Sequence, residues 1–201
     1  MPLTPAPVFT RRDALACLGA VALASTGLPA WAAPDTRFEP QLTAQGTTLV
    51  LNGSGTRYRA GIFKVYYMAL YTTRKVSTAQ ELLALPGPKR LQFVALRELP
   101  GTDLGRLFLQ GMGDNSPKDK MTRHVASTTR LIEVFSGRSK LVAGDSFAMD
   151  FVPDKGTTFY IAGQPQGAPV GDDEFFSMVL RIWFGDKPAD GQLRDALLGQ
   201  N

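Results

Sequence analysis

Residues 49–71 read LVLNGSGTRYRAGIFKVYYMALY and carry four of the five tyrosines of the chain. Three cations, Arg57, Arg59 and Lys64, stand here among β-branched and aromatic residues, the types that fit a pleated, half-buried surface. Asn52-Gly53 is a strong turn dipeptide, and Ala60-Gly61 offers a second reversal. The stretch therefore predicts three short strands, at 48–52, 56–59 and 63–72, joined by tight turns.

Downstream of it, strand and helix patterns arrive in blocks. Ser77-Thr-Ala-Gln80 has capping-box spacing before Leu82, Leu83 and Leu85, and Pro86-Gly87-Pro88 ends that short helix. A strand is expected at 91–99. Thr102 caps a helix through Leu104, Leu107, Phe108 and Met112, which stops at Gly113. Ser116 and Pro117 open a longer helix in which Met121, Val125, Thr128, Ile132 and Phe135 recur at helical spacing until Gly137. Phe147, Met149 and Phe151 alternate into a hairpin that returns over 157–162. Asp172 and Asp173 place negative charge at the start of a helix through Trp183, and a last short helix covers 192–198. Hairpin-linked strands with grouped helices indicate an α+β domain, an antiparallel sheet with helices on one face.

The chain has 201 residues, 44% hydrophobic and 20% charged, the composition of an ordinary folded domain. Arg11-Arg12, an uncharged run over 14–28 and the small-x-small pattern Ala30-Trp31-Ala32 read as an export signal cleaved after Ala32. The run is shorter than the roughly 20 residues needed to cross a bilayer, so no integral membrane span is expected. The expected organisation is a signal at 1–32, a polar leader at 33–47 and one domain over 48–201. A periplasmic or secreted location follows from the signal, by the twin-arginine or the general secretory route.

Cys17, the only cysteine, falls inside the signal, which excludes disulfides and thiol chemistry from the mature chain. The formal net charge of +4 drops by one when Arg11, Arg12 and Asp13 leave. Without a Lys/Arg run, that mild balance makes nucleic acid an unexpected partner.

Few residues suggest chemistry. His124 is the sole histidine and lies within the longer predicted helix, so it reads as a packing or surface residue. Gly53-Ser-Gly55 and Gly111-Met-Gly113 do not continue into phosphate-loop motifs and read as turn and helix-end glycines. Asp172-Asp173-Glu174 is explained by helix-start charge before a metal need be invoked. No cofactor or metal is implied.

The cations of the opening stretch are different. A tight turn at Ala60-Gly61 pairs Arg57 opposite Lys64, and strand alternation puts Lys64, Tyr66 and Met68 on the face of Arg57. Like charges directly opposite each other are unfavourable, so the pair calls for an anion. An internal ion pair, with Glu98 as the candidate, or arginines reaching water from an edge strand are the alternatives.

LNGSGTR at 51–57, FKVYYMALY at 63–71, VALRELPGTDL at 94–104, RLIEVF at 130–135, GDSFAMDFVPDKGT at 144–157 and RIWFGDKPADGQLRDALLG at 181–199 together resemble the chalcone isomerase-like family. The likeness is to its bacterial exported branch more than to the plant flavonoid enzymes. It implies an open-faced β-sandwich, a large antiparallel sheet against a helical layer, with an apolar ligand cleft between them. Relatives in that family include enzymes closing chalcones to flavanones, fatty-acid-binding proteins and non-catalytic helpers.

By the same resemblance Arg57 matches the family arginine that steadies negative charge in the enzymes and grips a carboxylate in the lipid binders. Tyr66 stands where the enzymes keep a water-orienting threonine. Met121 and Thr128 fall where they keep a tyrosine and an asparagine, so most of the catalytic set is missing. The expected function is binding of a small apolar anion such as a fatty acid, through Arg57, Tyr66, Lys64 and Arg97. An isomerase acting on a chalcone-like enone and a ligand-free cell-envelope interaction module are the competing expectations. The oligomeric state is not legible.

Overall fold

The computed structural model describes residues 38–200; the expected export signal lies outside the described residues. Part of the expected leader is in fact the first strand, β1 (Gln41–Ala44), which pairs antiparallel with β2 (Thr47–Arg59) across a turn at Gln45 and Gly46. Both turn residues have positive φ, 50° and 81°, as a two-residue hairpin demands. A glutamine is a poor advertisement for that geometry, which is why the segment reads as unstructured.

Then follow β3 (Phe63–Thr72), α1 (Ala79–Ala84), β4 (Lys89–Ala95), β5 (Leu99–Pro100), α2 (Gly101–Asn115), α3 (Lys118–Arg123), α4 (Val125–Ser136), β6 (Lys140–Leu141), β7 (Ser146–Val152), β8 (Gly156–Ile161), β9 (Gln164–Pro165), α5 (Asp173–Phe184) and α6 (Gly191–Leu197). Seven strands form one antiparallel sheet in the order β1-β2-β3-β4-β7-β8-β9, and β5 with β6 forms a separate pair. No helix among the described residues is long and apolar enough to cross a membrane.

Strand alternation decides what each face of the sheet meets. Met68, Leu70, Leu91, Phe93, Phe147, Met149, Phe159 and Ile161 point to one side and are buried against Leu104, Phe108, Leu131, Phe135, Phe175 and Trp183 of the helices. Aromatic rings carry much of that interface: Phe93 stacks on Phe147 at 4.1 Å and on Phe151's side of the core Phe151 stacks on Phe176 at 4.4 Å. Such pairs are worth about 0.5–1.5 kcal/mol each beyond the area they bury. A smaller cluster, Ala44, Leu49, Ala69 and Tyr71, lies on the other face with Phe38, whose ring stacks on Tyr67 at 4.9 Å.

The stretch 47–72 forms two strands where three were expected. β2 runs straight through Asn52-Gly53, because Asn52 is the extra residue of a β-bulge: Leu51 pairs with Tyr71 and Gly53 with Leu70. The buried Asn52 amide donates to the carbonyls of Val76 and Leu197 and accepts from the Val76 N–H. At Gly53 a Cβ would stand 2.3 Å from the carbonyl oxygen of Ala196, so only glycine lets α6 lie down on β2. The dipeptide that reads as a turn is a docking point for a helix.

Other boundaries shift for local reasons. The predicted strand at 91–99 ends early, and Leu99 pairs instead with Leu141 in the small sheet. Thr78, one residue beyond the expected cap, accepts from Glu81 N–H while the Glu81 carboxylate accepts from Thr78 N–H. The single helix expected beyond Ser116 breaks at His124, whose φ of −104° and ψ of 23° leave the helical range. There its ring, mostly buried, reaches Glu174 at 3.1 Å. Glu174 also binds Lys120 and Arg123, and Asp172 caps α5 by accepting from Phe175 N–H, so the acidic triplet serves the helix start.

Candidate functional site

A second bulge sits where β2 and β3 approach their connecting turn. Arg57 pairs with Tyr66 and Tyr58 with Lys64, leaving Val65 as the extra residue. The expected pairing of Arg57 with Lys64 is therefore wrong by two residues: the loop after Arg59 has three residues, 60–62, since Arg59 pairs with Phe63, and the bulge at Val65 adds the second step. Lys64 is exposed and lines no cavity with Arg57, while Tyr66 is drawn into the core. The like-charge pair that seemed to call for an anion does not exist.

Among the described residues Arg57 still lacks an acceptor for its Nε. Its Cζ lies 5.5 Å from the centroid of the Tyr66 ring, a cation–π contact. Its Nε is buried and makes no hydrogen bond, and no described carboxylate forms an ion pair with it. Glu98, the internal candidate, is held by Lys140 at 2.7 Å. A buried guanidinium N–H without an acceptor is costly, by about 1–3 kcal/mol, and an incoming anion would relieve it.

Tyr66 is only 3% exposed. Its phenol oxygen accepts a 2.8 Å hydrogen bond from the indole Nε1 of Trp183, and its own hydrogen has no acceptor among the described residues. Burial pushes the phenol pKa up, against the lowering pull of the Arg57 guanidinium and the Trp183 hydrogen bond. Tyr66 is thus a neutral donor at physiological pH, with its proton unspent.

Two cavities open beside this pair. An inner chamber of about 310 Å³ has Tyr66, Phe108, Ile182 and Trp183 in its wall, together with the exposed Gln110, Asp114 and Lys187, and with Pro188 and Ala189 on one side. An outer mouth of about 300 Å³ is lined by Arg57, Arg59, Val65, Arg97 and Arg106, among others. Arg57, Leu104, Leu107 and Gln110 belong to both walls, so Arg57 stands at the passage between chamber and mouth. Both lie between β2–β3 and α2. Each is at the lower end of the roughly 300–1,000 Å³ of small-molecule sites.

The helix that roofs the chamber is placed by a glycine. At Gly111 of α2 a Cβ would meet the Ile182 side chain at 2.9 Å, so α2 and α5 cross closely there. This glycine lies inside the helix and does not end it.

Of the four residues expected to bind, Arg57 and Tyr66 meet in one wall, Arg97 lines the mouth with Arg57, and Lys64 lines neither cavity. Met121 and Thr128 line a separate groove on α3 and α4 with Val125 and Ile132. Sequence reasoning missed Arg59, Phe108, Ile182 and Trp183. Arg59 is legible, since it lies two residues from Arg57 on the same strand; the others come from helices whose packing partners a single strand does not reveal.

Comparison with known proteins matches the chalcone isomerase-like family over residues 32–199. The chain belongs to this family. No curated protein matches the sequence. Among solved structures, a fatty-acid binding protein of Arabidopsis thaliana is similar, with a TM-score of 0.57 at 12% identity over 79% of this chain and 95% of that one. At that identity the likeness establishes a shared fold, and the seven-stranded antiparallel sheet under a helical layer is the chalcone isomerase-like arrangement expected from the sequence. The family match begins ahead of β1, in keeping with the place of that strand in the sheet.

Proposed function

We propose that this protein is an exported, non-catalytic binder of a small apolar anion such as a fatty acid, held in the cleft between β2–β3 and α2. The observation that carries the reading is Arg57, a half-buried guanidinium with an unsatisfied Nε at the passage between two cavities. A carboxylate beside it would gain a charge-assisted hydrogen bond from Arg57 and a second from the Tyr66 hydroxyl. The chain of the ligand would lie along Phe108, Ile182 and Trp183, where burial of apolar surface supplies most of the affinity.

Two further points support binding without turnover. Met121 and Thr128 line a groove apart from Arg57. The similar structure from Arabidopsis is named as a fatty-acid binding protein. Export rests on the pattern at 11–32, and N-terminal sequencing of the secreted or periplasmic form, expected to begin at Ala33, tests it.

The test of the ligand is calorimetric titration with dodecanoate, together with native mass spectrometry of freshly purified protein. Saturable heat with one site per chain, lost in Arg57→Ala, supports the reading. Absence of heat with every fatty acid from eight to eighteen carbons defeats it.

One observation favours a second reading, cyclisation of a chalcone-like enone. Tyr66 holds a neutral phenol with an unspent proton next to a guanidinium, a pair able to protonate and stabilise an enolate. Turnover of a chalcone that vanishes in both Arg57→Ala and Tyr66→Phe would establish it in place of passive binding.

A further inference from the structure

The outer mouth carries more positive charge than one carboxylate requires. Arg57, Arg59, Arg97 and Arg106 all line it, with Glu98 and Asp103 as the acidic residues present. Glu98 is engaged by Lys140 at 2.7 Å, and Asp103 by Arg106 at 3.6 Å. Arg57, Arg59 and Arg97 remain, and among the described residues none of them forms an ion pair. They come from two different parts of the chain, β2 and the turn after β4, so one strand's register does not explain their convergence.

Three guanidiniums around a space of about 300 Å³ repel one another, and a monocarboxylate answers with a single negative charge on two oxygens. A phosphomonoester offers about −1.5 to −2 charges near pH 7 on three acceptor oxygens, and the guanidinium fork matches its geometry. The asymmetry of the cleft sets the polarity of such a molecule. The cationic mouth faces solvent through the exposed Arg59, Arg97 and Arg106, while the chamber beside Arg57 has the buried Phe108, Ile182 and Trp183 in its wall, with the exposed Gln110, Asp114 and Lys187 where it meets solvent.

We propose that the natural ligand is an apolar chain bearing a phosphomonoester head group, with the phosphate among Arg57, Arg59 and Arg97 and the chain in the inner chamber. This rests on the binding reading above and names the ligand class for that same site. Arg57 and Tyr66 orient the molecule; Arg59 and Arg97 select a dianionic head over a monoanionic one.

Matched probes separate the two levels. The protein is titrated with monomeric dodecyl phosphate and with dodecanoate at pH 7.5, and again at pH 5, where the phosphate dianion has taken up one proton to become a monoanion (second pKa about 6) while a carboxylate is still partly ionised. The expected result is binding of the phosphate at least about tenfold tighter at pH 7.5, an advantage that narrows at pH 5. The double variant Arg59→Gln/Arg97→Gln, at two exposed positions, is expected to weaken the phosphate about tenfold and dodecanoate by a distinctly smaller factor. Equal affinity of the two probes, or equal weakening by the double variant, overturns the phosphate assignment and leaves the fatty-acid reading standing. If neither probe binds, both fail.

Discussion

The indole N–H of Trp183 donates a 2.8 Å hydrogen bond to the phenol oxygen of Tyr66, tying α5 to β3 through the wall of the inner chamber. Tyr66→Phe keeps the ring and removes the acceptor, leaving a buried indole N–H unsatisfied. The expected cost is about 1–3 kcal/mol of stability. Urea unfolding of the two proteins measures it, and an unchanged midpoint would mean that water or another group takes the place of the phenol.

Arg57→Gln should separate binding from folding. Arg57 has no ion pair among the described residues to lose, and its contact with the Tyr66 ring is worth about 1 kcal/mol, so unfolding free energy should change by no more than roughly that amount. Affinity for dodecanoate should fall at least about tenfold, the loss expected for one charge-assisted hydrogen bond. Parallel denaturation and titration decide the matter; a variant that fails to fold would show the guanidinium to be structural.

Much of this was legible in the residues. Hairpin strands, a helical layer and Arg57 beside Tyr66 follow from period-two alternation and the family motifs. What the residues hid was local. Val65 reads as one more β-former, yet it is the unpaired residue that reverses parity and takes Lys64 out of the cleft. Asn52-Gly53 has turn chemistry, but tertiary packing by α6 overrides it. Trp183 lies 117 positions from its partner, and no spacing rule spans that distance.

Asn52 offers a sharper stability test than any site residue. Asn52→Ala removes both carbonyl contacts and the acceptor for Val76 N–H at a buried position. A loss of about 3 kcal/mol or more is expected, since each stranded buried group costs about 1–3 kcal/mol. Thermal melting should show it, with α6 the first element to lose protection in hydrogen exchange.

The acid limb of the stability profile should belong in part to Glu174. Its hydrogen bonds with Lys120, His124 and Arg123 lower its pKa from the ordinary 4.5 to about 2. Because the folded value is the lower one, the stabilisation is present above the ordinary value and is lost as pH falls towards about 2. The stability difference between the wild type and Glu174→Gln should therefore be largest above pH 5 and shrink below pH 4. A difference that does not vary with pH would remove Glu174 from the acid response.

The C-terminal docking of α6 on Gly53 has a consequence for the order of events during synthesis. Pro188 and Ala189 line the chamber just ahead of α6, and Asp190 anchors that corner by accepting from Tyr58 N–H at 2.9 Å and from Leu193 N–H at 3.1 Å. The arginines of the mouth, by contrast, all precede residue 107. A nascent chain thus carries the arginines of the mouth well before residues 188–197 that complete the chamber wall, so the proposed site is whole only once the C-terminal helix has docked.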